Sequence, residues 1–309
     1  MALTNVVSSV STTPRNGAVT SRAHWLNRAP FYRAAGLAAL LPRRARLALA
    51  GALGAALTSA CVSEARLVDA NLARVQPAQS AAARARLVRE LFANFAMCFS
   101  DLITTNRHRA SPDLVAPGDG DAHVDGILGG GGFIVLTAHV GNWELARRTL
   151  VARGGGRALH IVMAPEADPG VERLLRRDGA PVRFVTLRSP ADAVPLVAAL
   201  RRGEIVGMQG DRPLGHRGDV PIDFFGAPAL FPLGPFLLAR AAGVPVLPAF
   251  CVLRPDRRYA VDVLAPLRVE RGEEPAALRR WVDGLASVIA RHPTQWFNFS
   301  DPWSVAPAR

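Results

Sequence analysis

From Phe133 onward, short apolar runs alternate with segments of helical character, and this alternation constrains the fold more than any other feature of the sequence. Predicted strands cover residues 133–138, 158–164, 182–187, 204–209, 244–253 and 259–265. Predicted helices cover residues 142–153, 168–178, 190–202, 234–243 and 275–292. Alternation of this kind is typical of an α/β fold with a mixed, largely parallel sheet flanked by helices. Functional side chains in such sheets gather where the strands end, at the carboxyl edge.

The first third of the chain has a different character. The sequence predicts a disordered leader over residues 1–29 and a helical region rich in Ala, Arg and Leu over residues 30–117. The α/β region is predicted over residues 118–309. Within residues 34–61, two apolar stretches flank an arginine cluster, and each stretch is too short to span a membrane. Two interpretations stay open: helices at a membrane surface whose arginines meet anionic headgroups, or Ala-rich core helices. Residues 118–132, which end in four glycines, predict a flexible loop.

The charge is strongly unbalanced. The 37 basic residues, all arginine, exceed the 25 acidic ones and give a net charge of +12. Permanently charged guanidinium groups favour phosphates and anionic surfaces. Binding of nucleic acid is therefore a competing hypothesis, but the arginines are dispersed over several helices without a known binding motif, so no nucleic-acid partner is expected. The three cysteines form no CxxC pair, which argues against a disulfide framework or a zinc site.

The stretch "FIVLTAHVGNWEL" at residues 133–145 contains the best candidate for a catalytic group. If the strand ends near residue 138, Gly141 permits a bend and Asn142 can cap the next helix. Glu144, in the first helical turn, would then hold the imidazole of His139 in one tautomer. A histidine oriented in this way suits a general base that activates a substrate hydroxyl. An ordinary strand-terminal histidine is the alternative, and the absence of HExxH and GxSxG motifs argues against zinc and a serine nucleophile.

Several segments resemble one known family. "TAHVGNWEL" resembles the HX4(D/E) block of the bacterial lipid A biosynthesis lauroyl/myristoyl acyltransferases. "NLARV" (71–75), residues 210–250 and "QWFNFSDPW" (295–303) are similar to further segments of that family or of one of its branches. The resemblance covers about residues 30–303.

The resemblance implies transfer of a fatty acyl chain from an acyl-carrier-protein or CoA thioester to a hydroxyl of a membrane glycolipid or lysolipid. It also implies the α/β fold of the glycerolipid acyltransferases, at the cytoplasmic face of the bacterial inner membrane as a peripheral or monotopic protein. His139 and Glu144 match the family's catalytic pair, and neither a metal nor a cofactor besides the thioester is expected. The segment from 210 to 212 also resembles a branch that acts on other envelope lipids and aryl-polyene-type pigment precursors, so the acceptor stays open.

The resemblance points to further site residues near the predicted strand ends. Arg177 matches an Arg-x-Gly motif and is expected to stabilise the oxyanion of the reaction, with an exposed basic helix face as the alternative. Asp211 and Arg212 follow the strand at 204–209, at the same carboxyl edge as His139. Asp211 is expected to act in catalysis, and both side chains are candidates for orienting an acceptor headgroup or binding phosphate.

Four more residues are expected to contact substrate. Asn142 and Trp143 adjoin His139, whereas Phe225 and Gly226 belong to "DFFGAP", whose rings and bends suit the wall of an acyl groove or, equally, the core. An arginine-rich surface would attract the acidic acyl carrier protein. Two other classes compete with acyl transfer: a non-catalytic basic protein that binds lipid or nucleic acid, and a hydrolase that uses water on the same thioester.

Overall fold

The predicted strands pair into one six-stranded sheet. The computed structural model of the protein describes residue 32 and residues 36–107, 114–116, 121–163, 182–187, 189–214 and 218–304. The six strands of this sheet are β1 (Phe133–Thr137), β2 (Leu159–Val162), β3 (Val182–Val185), β4 (Ile205–Gln209), β7 (Val246–Leu253) and β8 (Tyr259–Val263). Each agrees closely with its predicted range, which confirms the predicted α/β fold.

The strand order in the sheet is β3-β2-β4-β1-β7-β8. All neighbours are parallel except β8, which runs antiparallel to β7. In the register of β1 and β4, Thr137 pairs with Gln209 at the carboxyl ends of both strands. Strand β4 therefore lies beside β1 although β2 and β3 come between them in the sequence.

Helices cover the sheet and fill the N-terminal part of the chain. They are α1 (Arg43–Leu57), α2 (Val62–Val75), α3 (Ala81–Arg107), α4 (Asp121–Leu128), α5 (Trp143–Arg153), α6 (Val194–Arg201), α7 (Gly234–Ala242) and α8 (Glu274–Arg291). The predicted helices at 142–153, 190–202, 234–243 and 275–292 are confirmed. The helix predicted at 168–178 lies outside the described residues.

Helix α4 contradicts the flexible loop predicted for residues 118–132. Val124, Ile127 and Leu128 occupy one face of this helix and pack on a buried cluster that includes Phe133. Spacings of three and four residues bring apolar side chains to one helix face. The glycines that follow end the helix, and the glycine-rich composition concealed it in the sequence.

Two strands lie where the sequence predicted none. Strands β5 (Asp219–Phe224) and β6 (Ala227–Pro232) form an antiparallel hairpin separate from the main sheet. Its two-residue turn consists of Phe225 and Gly226, both with positive φ angles (52° and 78°), as a type I′ hairpin turn requires. Prolines within both strands concealed them, because proline lowers the strand propensity of a segment.

The chain divides into two compact units. One contains the described residues up to 107 together with His292–Asp301, and the other contains residues 114–163, 182–291 and 302–304. In the first unit, the buried Asn71 donates hydrogen bonds to the carbonyl oxygens of Asn298 and Ser300, at 3.1 and 2.9 Å. The segments "NLARV" and "QWFNFSDPW" therefore meet in space. The boundary predicted at residue 117 stays a prediction, since residues 117–120 lie outside the described residues.

The arginine cluster of α1 is held by a buried carboxylate. Arg43 and Arg46 both contact Asp101, with N–O distances of 2.7 and 2.8 Å. Arg46 also donates to the hydroxyl of Ser100 at 3.1 Å. An internal ion pair thus engages both guanidinium groups, which favours the core interpretation for these two arginines, and membrane association of the region stays a prediction. Arg44 is exposed.

Among the described helices, none is both long enough and apolar enough to cross a membrane by itself. Helices α1 and α2 meet those requirements when they are counted together, but they are bent by 93° at the break between them.

Candidate active site

A sharp turn after β1 places His139 at the carboxyl edge of the sheet. Gly141 has a φ angle of +59°, and a Cβ atom at this position would overlap the carbonyl oxygen of Cys251. The next amide, of Asn142, donates to that same oxygen at 2.7 Å. The Asn142 side chain accepts from the amide of Leu145 at 3.3 Å and caps α5. The bend and the cap predicted from the sequence are confirmed.

Asp211 holds His139 by two hydrogen bonds. The Nδ1 atom of His139 lies 2.7 Å from one carboxylate oxygen of Asp211, and the backbone amide of His139 donates to the other oxygen at 3.0 Å. Both residues are buried, with exposed fractions of 5% and 4%. Asp211 follows β4, the neighbour of β1, so the sheet brings together two residues that are distant in the sequence. The contact orients the imidazole as the acidic member of a catalytic triad does.

The electrostatic surroundings favour neutral His139 beside ionised Asp211. Burial and then repulsion from Arg212 lower the pKa of His139 below its usual 6.5, against the opposing attraction of Asp211. Burial by itself would raise the pKa of Asp211. Attraction to the imidazole of His139, which is protonated in the acid range where Asp211 titrates, acts with the hydrogen bonds from His139 and with Arg212 to outweigh burial and lower this pKa to about 2. At neutral pH the pair therefore consists of a carboxylate and an imidazole able to accept a proton.

The second ring nitrogen of His139 is available for chemistry. Its Nε2 atom is buried and has no hydrogen-bond partner among the described residues. When Asp211 accepts the proton of Nδ1, Nε2 carries the lone pair. This is the tautomer that a general base requires.

Glu144 does not contact the imidazole, and the predicted orienting contact is wrong. Its carboxylate instead accepts from the Nε atom of Arg147 at 2.9 Å, one helical turn further along α5, and both side chains are buried. Burial opposes ionisation of Glu144, but Arg147 outweighs it and lowers the pKa of this carboxyl group. The sequence predicted a carboxylate partner for His139, and the structure assigns that position to Asp211. A catalytic role for Glu144 stays a prediction.

We expect Glu144→Gln to lower the free energy of unfolding by about 3 kcal/mol, because it removes the negative charge beside a buried guanidinium group. Urea unfolding followed by circular dichroism measures this change. The double variant Glu144→Gln/Arg147→Met removes both charges and is expected to recover much of the loss. An unchanged unfolding midpoint for the single variant would contradict the importance of the pair.

Some of the other predicted site residues lie near His139, and others lie away from the cavity or outside the described residues. Arg212 follows Asp211 directly, and Trp143 begins α5 beside the capping residue Asn142. Phe225 and Gly226 form the β5–β6 turn and are not in the wall of the cavity described below. Arg177 lies outside the described residues.

An apolar cavity of about 260 Å³ lies between α5 and one face of the sheet. Its wall includes residues from five strands and from α5: Val135, Thr137, Leu159, Ile161, Gly207, Leu247, Ala249, Val261, Val263, Trp143, Ala146 and Leu150. Arg147 also lines it, so the Glu144–Arg147 pair fixes part of this wall. Thr137, two residues before His139, lies in the wall as well. The cavity wall therefore ends within two residues of the candidate base along the chain.

Sequence reasoning missed Thr137, Arg147 and Gln209. Thr137 and Gln209 are the last residues of the neighbouring strands β1 and β4, and each lies two residues before a predicted site residue. Each is the single polar residue at the end of an otherwise apolar strand, and this is the signal that could have marked it. Arg147 lies three residues after Glu144, a spacing that brings two helical side chains together.

An α/β sheet with a His–Asp pair at its carboxyl edge and an apolar cavity beside it fits the comparisons with known proteins. A family model described as "Bacterial lipid A biosynthesis acyltransferase" matches residues 25–304, so the chain belongs to this family.

Two relatives have the same name, phosphatidylinositol mannoside acyltransferase. The protein from Mycobacterium tuberculosis is 28% identical over 216 residues, which cover 65% of this chain and 64% of the relative. The protein from Mycolicibacterium smegmatis is 27% identical over 187 residues, which cover 56% of this chain and 57% of the relative. The chain thus spans somewhat less than two thirds of the first relative's length.

Proposed function

We propose that the protein transfers a fatty acyl group from a thioester to a hydroxyl of a membrane phosphoglycolipid, with His139 as the general base. The observation that carries this proposal is the buried His139–Asp211 pair, whose Nε2 atom has no partner among the described residues. Membership of the lipid A acyltransferase family and the names of the two relatives support the reaction class.

The base acts on the acceptor. Nε2 of His139 accepts the proton of the acceptor hydroxyl while that oxygen attacks the thioester carbon. The protonated ring is stabilised by the Asp211 carboxylate 2.7 Å from Nδ1, and it returns the proton to the departing thiolate. Neutral histidine is required at the start, which agrees with the lowered pKa of His139. The reaction needs no cofactor besides its thioester substrate.

The cavity beside α5 suits the acyl chain. Its wall is predominantly apolar and its volume is about 260 Å³. Pockets for drug-sized ligands are usually larger than this. An apolar space of this kind suits an alkyl chain. A chain inserted between α5 and the sheet would leave its carbonyl group at the Thr137 end of β1, near His139.

Arg212 is suited to bind a substrate phosphate. Its Nε and Nη2 atoms are buried and have no hydrogen-bond partner among the described residues. Burial lowers the pKa of Arg212 to about 10, so the guanidinium group stays charged at neutral pH. Two adjacent N–H donors match the geometry of a phosphate group. The mannosylated phospholipid in the relatives' names contains both a phosphate and sugar hydroxyls, and we propose an acceptor of this class.

We propose that the donor is acyl-ACP or acyl-CoA and that the protein works at the cytoplasmic face of the inner membrane. The outward face of α1 supports membrane attachment. Leu49 and Leu53 are 46% and 57% exposed, and four exposed alanines (45, 48, 52 and 56) extend the same stripe. Helix α1 contains no acidic residue, and Arg44 is exposed at its start. An apolar stripe beside an arginine fits the surface of an anionic bilayer.

We expect Leu49→Ser/Leu53→Ser to reduce binding to vesicles of anionic phospholipid at least tenfold, because it removes the two largest apolar side chains of the stripe. Co-sedimentation with vesicles measures the partition. Val194→Ser, which replaces an exposed apolar residue of α6, is the matched control and should bind as wild type does. Equal binding by the double variant and wild type would contradict attachment through α1.

Release of thiol from acyl-CoA tests the proposed reaction. The three cysteines of the chain are buried, so a thiol reagent reports mainly on released CoA. We expect release that depends on added phosphatidylinositol mannoside. Release at the same rate without an acceptor would identify a thioesterase, and no release with any acceptor lipid would favour a non-catalytic binding protein.

A further inference from the structure

Three buried polar groups near His139 have no role in the architecture described so far. They are the hydroxyl of Thr137, the side-chain amide nitrogen of Gln209 and the indole nitrogen of Trp143, and none has a hydrogen-bond partner among the described residues. Only 5% of Thr137 is exposed. Burial of an unpaired donor destabilises a fold, so these unpaired donors point to a ligand that pairs with them.

The sheet places two of these groups side by side at the ends of β1 and β4. Thr137 and Gln209 are register partners in the parallel strands β1 and β4, so their side chains lie on the same face of the sheet. Thr137 and Trp143 both line the cavity. His139 follows Thr137 by two residues, and Asp211 follows Gln209 by two. Thr137 and Gln209 therefore lie next to the His139–Asp211 pair at the carboxyl edge, and Trp143 lines the same cavity as Thr137. These three residues are called here the polar collar.

The chemistry of the collar matches an oxygen acceptor. An indole N–H is a donor only, an amide NH2 group supplies two donors, and a hydroxyl can donate. Neutral donors beside a general base can stabilise the oxyanion of acyl transfer. A phosphate is better matched by a charged group, which Arg212 already supplies.

We propose that the polar collar binds the carbonyl oxygen of the thioester and the oxyanion formed from it. This inference rests on the proposed acyl transfer and assigns three further residues to it. The acceptor oxygen forms the new C–O bond while its proton passes to Nε2 of His139, and the carbonyl π electrons move to the oxygen held by the collar. When the C=O bond reforms, the C–S bond breaks, its electron pair leaves on sulfur, and His139 returns the proton to give the free thiol.

The family resemblance assigns the oxyanion to Arg177, which lies outside the described residues. The collar differs from an arginine in a testable way, because its donors are neutral side chains whose loss does not change the charge of the site. Gln209→Met and Thr137→Val remove one donor group each with little change in shape.

The first test is kinetic. We expect each substitution to lower kcat by about 100-fold while KM for palmitoyl-CoA changes little, since the contact strengthens in the transition state. Thr137→Ser retains the hydroxyl and should recover most of the rate lost in Thr137→Val. Thr105→Val removes a buried hydroxyl from α3, bonded to the carbonyl oxygen of Leu102, and should leave kcat unchanged.

The second test does not depend on turnover. Palmitoyl-CoA with a ¹³C-labelled thioester carbonyl is bound to the His139→Asn variant, and the infrared stretch of the label is measured. We expect a shift to lower frequency relative to the free donor, and its loss when Gln209→Met or Thr137→Val is added.

The outcomes separate the two hypotheses. Active wild-type protein with unaffected collar variants and an unshifted carbonyl stretch would overturn the collar but not acyl transfer. A shifted stretch in a protein without transfer would support the collar as a carbonyl site and overturn the proposed acceptor chemistry. Absence of donor binding would overturn both.

Discussion

His139→Asn is expected to lower kcat for acyl transfer by about 10³- to 10⁴-fold, because it removes the proposed proton acceptor of the reaction. The side-chain amide of asparagine can take the place of Nδ1 and donate to Asp211, so the buried carboxylate keeps a partner. The variant should therefore fold with an unfolding midpoint close to that of wild type. Single-turnover transfer of a labelled acyl chain measures the loss of rate.

His139→Ala provides the comparison for stability. It removes the base and also leaves the Asp211 carboxylate buried without the 2.7 Å contact to the ring. We expect the same loss of rate together with a lower unfolding midpoint. Transfer by the asparagine variant at more than a tenth of the wild-type rate would exclude His139 as the base.

Asp211→Asn is expected to lower kcat by about 10²- to 10⁴-fold and to change the pH dependence of the reaction. The carboxylate raises the pKa of His139, whereas Arg212 lowers it. Loss of the carboxylate therefore moves the acid limb of kcat/KM to lower pH. Arg212→Met removes the opposing charge and should move the limb to higher pH. A profile of kcat/KM across the acid and neutral range measures both shifts.

The opposite signs of the two shifts make this comparison informative. General damage to the site would lower the rates of both variants without moving their limbs in opposite directions. Limbs that stay at the wild-type position in both variants would show that neither group acts on the titration of the base.

The backbone of the candidate site could largely be predicted from the sequence, because interactions between neighbouring residues determine it. An apolar run that ends at Thr137, a glycine with a positive φ angle at 141 and a capping asparagine at 142 indicate a strand, a bend and a helix in quick succession. These interactions join residues that are close in sequence, so the residue types suffice to predict them.

The partner of His139 could not be predicted from residues close in sequence. Glu144 is near in sequence and Asp211 is distant, and only the order of the strands brings Asp211 to the ring. Strand order depends on how the whole chain packs, and the hydrophobic periodicity of one segment does not determine it. The same limit concealed Gln209, whose significance depends on its register with Thr137.

The composition of some segments misled the prediction for a different reason. Glycines after residue 128 suggested a loop where Val124 and Ile127 anchor a helix. An arginine cluster in α1 suggested contacts with lipid, although Asp101 binds two of the three guanidinium groups. In both cases a distant packing partner decided the outcome.

The most direct test of acyl transfer to a lipid is the mass of the product. Purified protein would be incubated with ¹³C-labelled palmitoyl-CoA and phosphatidylinositol mannoside, and the lipids extracted and analysed by mass spectrometry. We expect a lipid heavier by one labelled palmitoyl group, attached by an ester bond that mild alkali cleaves. Its rate of formation should fall by about 10³-fold or more in His139→Asn. Label recovered only as free palmitate, or an acylated lipid formed equally by the His139→Asn variant, would contradict the proposed reaction.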